Sequence, residues 1–380
     1  MIRLIPYYER DNGSQMLNCF LKMVADVVPF FREDVLDDEN SHGKLGKPRQ
    51  RRDSYPGNLN NRFPGISDTK KEKGEDIDRR KRFDAQLAEQ LIREYSPKLH
   101  EYLYEGCAGD GHINRSHLRN LLTVRLTGGE VPDKWKFDDA GDGTLLLAHV
   151  FRYDTLTTHP DLYSYINSIS AQVCPYCNRI FTTTVTDKNH KTRPQLDHFR
   201  NKNKYPYLAL SINNLVPSCG VCNHLKHNDD LDMIYPYEEG MEKVCSFRTT
   251  IPKQHITTVL TGARIAPENF ELTLSSNLTD ENSPQATRIR NSIDKLALKP
   301  LYDTHKNYVT DLYFQRYIMT DKLIQDISGQ FSNLFHSEEE VQAALLATCI
   351  QEEHWGDRPL SKLTHDILEE IEMLYSQIRP

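Results

Sequence analysis

The residues with the clearest capacity for chemistry are two pairs of cysteines. Cys174-Pro175-Tyr176-Cys177 and Cys219-Gly220-Val221-Cys222 share the C-x-x-C spacing and stand 41 residues apart. Four thiolates at tetrahedral reach fill the coordination sphere of a structural zinc and leave no open position for catalysis. The separation is longer than a short zinc ribbon needs, so something must be folded between the two knuckles. The other four cysteines, Cys19, Cys107, Cys245 and Cys349, are scattered. That division suits a reducing cytosol with one metal site better than a secreted disulfide framework.

The elements that would position the chemistry follow from local pattern. Ile180 to Thr186 is rich in β-branched residues, Asp187-Lys188-Asn189-His190 is a turn, and Gln195-Leu196-Asp197-His198 ends a second strand, so the insert reads as a β-hairpin. A loop from Arg200 to Tyr207 follows, and Asn213 to Pro217 leads into the second knuckle, which starts a helix. On that helix Asn223 and His227 are four residues apart and predicted to share a face, with Cβ atoms about 5–6 Å apart. Strand end and helix face then converge on one cation, in a ββα unit clamped by zinc at its two ends.

The string CPYC…LDHF…NNLVPSCGVCNHLKH resembles the HNH, or His-Me finger, endonucleases of the subtype with a four-cysteine zinc site, over about 55 residues. The resemblance implies a treble-clef-like ββα-metal core and metal-dependent hydrolysis of phosphodiester bonds, leaving 5′-phosphate and 3′-hydroxyl ends. His198 is then the general base, since imidazole titrates near working pH. Asn214 either orients the His198 ring or pins its loop. Asp197 and His227 become ligands of one divalent ion, with Asn223 ligating directly or through water. Many members of the family have His where Asn223 stands; an amide shifts the site toward a harder ion, Mg²⁺ or Mn²⁺.

Charge agrees with a local polyanion site. Between Cys174 and Asn228 lie eight Lys or Arg against Asp187 and Asp197, a net +6, which leaves −13 on the rest of a chain whose total is −7. A zinc-thiolate centre would bring about −2 to that island. The whole molecule is not a polybasic nucleic-acid binder, so contacts must come from a patch, for which Arg193, Arg200, Lys202, Lys204 and Lys226 are the candidates. DNA is the expected polymer. A ribonuclease, for example one acting on tRNA, and a zinc-bound nucleic-acid binding module without catalysis are the alternatives.

Around this unit the chain reads as α+β and mostly helical: an accessory region over 1–150, the nuclease unit over 151–235, and a helical region over 236–380. Apolar residues at helical spacing mark 14–31, the stretch from Phe83 to Tyr95, the surroundings of Leu118 to Leu126, and 145–170. Residues 39–80 are polar, with charge blocks and Pro-Gly and Asn-rich turns, and read as a loop or linker. Past the knuckles, Phe270 to Leu274 alternates like a strand, Ser337 with Glu340 forms a capping box, and a last helix is predicted over 360–378. Tyr308, Tyr313 and Tyr317 form an aromatic stripe that either docks a partner or packs the region's own core. Short runs, Leu301 to Lys306 and Arg358 to Leu363, are similar to tails of bacterial HNH subunits of anti-phage systems, the Septu-type effectors that work beside an ATPase. That resemblance implies an ATPase partner. With no secretion signal and no apolar run that spans a bilayer, a cytoplasmic location is expected.

Overall fold

The computed structural model describes residues 1–28, 88–107, 113–137, 144–169, 172–349 and 351–376. The predicted linker at 39–80, the first residues of the helix expected from Phe83, and the Gly141-Asp142-Gly143 turn lie outside the described residues. Among the described residues the chain is α+β, helical at both ends, with three two-stranded antiparallel sheets. Among the described residues no helix is long and apolar enough to cross a membrane.

The N-terminal periodicity gives a helix over Gly13–Val27 that buries Met16, Phe20, Leu21, Val24 and Val27. It packs against the helices Tyr153–Leu156 and Leu162–Ser168, with the Phe20 and Tyr165 rings 5.2 Å apart. The single helical stretch predicted over 145–170 is three pieces, Thr144–Phe151, Tyr153–Leu156 and Leu162–Ser168. Arg152 breaks the first join with a left-handed φ of 45°, and Pro160 lies in the second. Near the C-terminus Ser337 accepts the N–H of Glu340, as a capping box requires, although the Glu340 carboxylate returns to the N–H of His336 rather than to that of Ser337.

The strands pair differently from the sequence reading. β1 (Val185–Thr186) and β2 (Lys191–Thr192) form a small hairpin whose turn is closed by Asp187, its Oδ1 accepting the N–H groups of Asn189 and His190 at 2.6 Å each. β3 (Gln195–His198) pairs with β4 (Leu215–Ser218), Asp197 opposite Val216 and His198 opposite Leu215. So Asp197 and His198 do not sit on the hairpin that starts at Ile180. The physical reason is burial: every residue of β4 is buried, whereas β1 and β2 are exposed throughout and offer β3 no core to share. β5 (Cys245–Thr250) and β6 (Glu271–Ser276) form the third pair, which contains the predicted strand at 270–274.

Among the described residues one contiguous apolar core runs from Met1 to Tyr375. The first knuckle is bolted into it from far away in sequence. The Tyr302 hydroxyl donates to the Cys177 carbonyl at 2.5 Å, Ile2 N–H donates to Pro175 O at 2.7 Å, and Asn178, in a left-handed conformation at φ 49°, donates to Trp355 O at 2.7 Å.

The aromatic stripe of the helix Lys306–Ile318 faces inward. Tyr313 is buried with its hydroxyl 2.8 Å from both Glu370 and Thr249, and Tyr308 meets Thr364 at 2.6 Å. Tyr317 is half-buried, its ring occupying the space a side chain on Gly262 (φ +75°) would fill. The stripe therefore packs this helix into the protein, the second of the two readings, and is not an exposed docking face. A hydroxyl at the rim of each ring lets tyrosine serve where helix and sheet edge meet.

Candidate functional site

The four knuckle cysteines converge. All are buried, and their sulfurs lie within 4.8 Å of one another, with Cys177 and Cys219 4.0 Å apart. Four ligands at 2.3 Å around one zinc sit about 3.8 Å from each other, so the cluster fits that ion. Backbone N–H groups point at the sulfurs, Cys219 to Cys174 at 3.3 Å and Cys222 to Cys219 at 3.4 Å. Cys219 is also the N-cap of the short helix Gly220–Lys226, so the metal site fixes where that helix begins.

Each knuckle sends one side chain to the Asp197-His198 pair. Tyr176, between the first two cysteines, donates its hydroxyl to Asp197 Oδ2 at 2.6 Å. Lys226, one turn beyond Cys222, places its ammonium 3.2 Å from the same oxygen and donates to the His198 carbonyl at 2.7 Å. Tyr176, Asp197 and Lys226 are 0%, 3% and 2% exposed. Burial holds the Asp197 carboxyl above its ordinary range against the opposing pull of Lys226 and Tyr176.

His198 has a half-buried ring at the end of β3. Its Nε2 stands 3.0 Å from the Ala209 carbonyl, which only accepts, so Nε2 carries the proton and Nδ1 keeps its lone pair. The Tyr153 ring packs edge-on against the imidazole with centroids 4.2 Å apart, and its hydroxyl donates to Leu196 O at 3.0 Å. Burial pushes the His198 imidazole down to about 3, so it is neutral but far less basic than the near-neutral titration read from the sequence. Asn214 does not touch this ring. It is wholly buried and pins the loop, accepting from Arg200 N–H at 2.7 Å and donating to Arg200 O at 3.1 Å and Leu208 O at 3.2 Å. Of the two tasks read for Asn214, the structure gives it the second, and Ala209 performs the first.

Asp197, His198, Asn223 and His227 all line one open cleft of about 740 Å³, together with Arg193, Lys202 and the amides of Gln195, Asn201 and Asn228. Asn223 donates to Gln195 Oε1 at 2.6 Å, leaving its carbonyl oxygen as the ligating atom. His227 departs from the expected helix face: the helix ends at Lys226, and His227 is its exposed C-cap at φ 51°. Among the described residues the four cysteines are the one cluster of at least three His, Cys, Asp or Glu side chains within reach of a single ion. A hard ion in the cleft would therefore complete its shell with Asn223 and water, and would share Asp197 with Tyr176 and Lys226.

The phosphate-binding candidates divide. Arg193 and Lys202 line the cleft. Arg200 is 3% exposed and committed to Gly129 O, Glu130 and Asp230, so it holds the loop together and faces no phosphate. Lys226 is likewise internal, and Lys204 pairs with Asp230 away from the cleft lining. A guanidinium or ammonium beside a carboxylate reads from sequence as free charge; only the fold reveals the partner. Tyr176, Tyr153 and the Ala209 carbonyl were not singled out by the sequence. Of these only Tyr176 carries a signal, its place inside a knuckle. No family model matches this sequence, and neither the curated proteins nor the solved structures compared with it gave a match.

Proposed function

We propose that this chain is a metal-dependent nuclease of the HNH type that hydrolyses phosphodiester bonds in nucleic acid, with DNA the favoured polymer. The observation that carries the reading is His198: a neutral imidazole in an open cleft, its Nε2 proton committed to Ala209 O, at the end of a strand tied to the cysteine cluster. In this reading β3, β4 and the helix Gly220–Lys226 are the ββα core, and the four cysteines hold a structural zinc. His198 Nδ1 takes a proton from a water as that water's oxygen bonds to phosphorus. The bond from phosphorus to the 3′ oxygen breaks, the leaving oxygen is reprotonated from solvent, and the products are a 5′-phosphate and a 3′-hydroxyl. Asp197 and Asn223, with water, would hold Mg²⁺ or Mn²⁺, which would supply charge neutralisation at the phosphate. Arg193 and Lys202 offset the charge of the flanking backbone.

The C-terminal resemblance extends the proposal to an effector of anti-phage defence acting beside an ATPase. The test is incubation of full-length protein with plasmid DNA and with total RNA, in Mg²⁺, Mn²⁺ or EDTA, with and without a candidate ATPase. Metal-dependent cleavage of either polymer supports the reading and identifies the substrate. No cleavage under any of these conditions contradicts it.

A further inference from the structure

The cations near the cleft fall into two groups. Arg200, Lys202, Lys204, Lys226 and Lys295 each stand against a carboxylate, from Glu130, Asp154, Asp230, Asp197 or Asp229. Lys188, Lys191 and Arg193 have no carboxylate within ion-pair distance among the described residues; the Arg193 guanidinium donates to Pro194 O at 3.0 Å and Thr157 O at 3.1 Å, which fixes it at the cleft without neutralising its charge. Asp187, the acid nearest to them in sequence, is already engaged by two backbone N–H groups of its own turn. The unpaired charges are contiguous. Arg193 lines the cleft, Lys191 shares the Tyr163 ring with it at 5.8 and 6.0 Å, and Lys188 stands in the hairpin turn. Lys191 and Arg193 are alternate residues, about 7 Å apart along an extended chain, and with Lys188 in the turn they form a track from the cleft lining to the tip of the hairpin.

The hairpin that carries the track has no packing task. Residues 185–192 are exposed without exception, and a lone two-stranded hairpin of this size is marginal in water unless something holds it. What holds it here is Tyr163, under the two cations next to the cleft.

We propose that the β1–β2 hairpin is a phosphate-gripping arm that binds the nucleic-acid backbone flanking the cleft, through Lys188, Lys191 and Arg193. The inference rests on the nuclease reading of the cleft and adds to it where the substrate runs. Contacts of this kind read no bases, so binding through the arm is sequence-tolerant and falls with salt.

The experiment measures binding of full-length protein to a fluorescein-labelled DNA duplex, and to RNA, by anisotropy without added Mg²⁺ or Mn²⁺, between about 50 and 200 mM salt. K188Q/K191Q is compared with wild type and with K188R/K191R. Each lost phosphate contact removes about one from the slope of log K against log salt, so K188Q/K191Q should flatten it by about 2 and K188R/K191R should restore it. In cleavage assays the loss should fall on KM. Unchanged affinity and slope in K188Q/K191Q overturns the arm while leaving the chemistry at His198 standing. Cleavage that survives His198→Ala overturns His198 as the base, and no cleavage by wild type in Mg²⁺ or Mn²⁺ overturns the nuclease reading, whatever the hairpin does. Lysine-dependent binding to phosphatidylserine vesicles without any binding to nucleic acid would also overturn the arm, in favour of a membrane contact.

Discussion

Lys226 and Asp197 form a buried pair whose value is better judged by breaking it than by counting it. Removing one partner of such a pair strands the other charge in a low-dielectric interior, typically at about 3–5 kcal/mol, whereas replacing both is often close to neutral. Lys226→Met should therefore lower the unfolding midpoint sharply, and Lys226→Met with Asp197→Asn should regain most of the loss; denaturant melts of the three proteins check this. Asn214→Ala strands Arg200 N–H and two carbonyls in the loop, so about 1–3 kcal/mol should be lost per buried group left unsatisfied. At this scale the cysteine cluster was legible, because the type and spacing of its four residues alone announce it. The pairing of Lys226 was not, because a lysine on a short helix looks the same in sequence whether it meets solvent or a buried carboxylate. Nor does any residue type announce that the Ala209 carbonyl will orient an imidazole.

The proposed structural zinc and the proposed catalytic ion can be separated by mutation. Cys177→Ser or Cys222→Ser should lose one tightly held zinc and unfold the unit, because structural zinc contributes folding energy directly. Asp197→Ala and His227→Ala should keep that zinc, as measured by elemental analysis. Zinc retained in both cysteine mutants would contradict the clamp. Acid should loosen the junction between the first knuckle and the C-terminal helices. His305 accepts from Arg179 Nε at 2.9 Å, with the Tyr302 ring beside it. Burial, then the Arg179 charge, holds its pKa below the ordinary value of 6.5. The unfolded chain thus binds a proton near pH 6.5 that the folded chain refuses, so stability falls as pH drops through that value, and His305→Gln should flatten the fall. The sequence foretold the helix at Gly13–Val27, the turn at Asp187 and the Ser337 cap, all set by neighbours within a few residues. It misassigned the partner of β3, because pairing was decided by which strand had a core to join. Threonine-rich β propensity could not say so.

The whole molecule treats the cleft as part of one core. Tyr302, Trp355 and Ile2, each more than 120 residues from the first knuckle in sequence, bond to its backbone or to Asn178 beside it. A fragment limited to residues 172–230 should therefore fail to fold even with zinc present, and a well-dispersed NMR spectrum from it would contradict this. The aromatic stripe once open to a partner is consumed by the same packing, so an ATPase would have to dock elsewhere. The central claim, hydrolysis with His198 as base, is tested most directly by comparing full-length wild type with His198→Ala on one labelled substrate in Mn²⁺. The account predicts that wild type produces 5′-phosphate and 3′-hydroxyl ends, and that the variant is slower by about 10²–10⁴ with its zinc content and melting unchanged. Equal rates from the two proteins would contradict it.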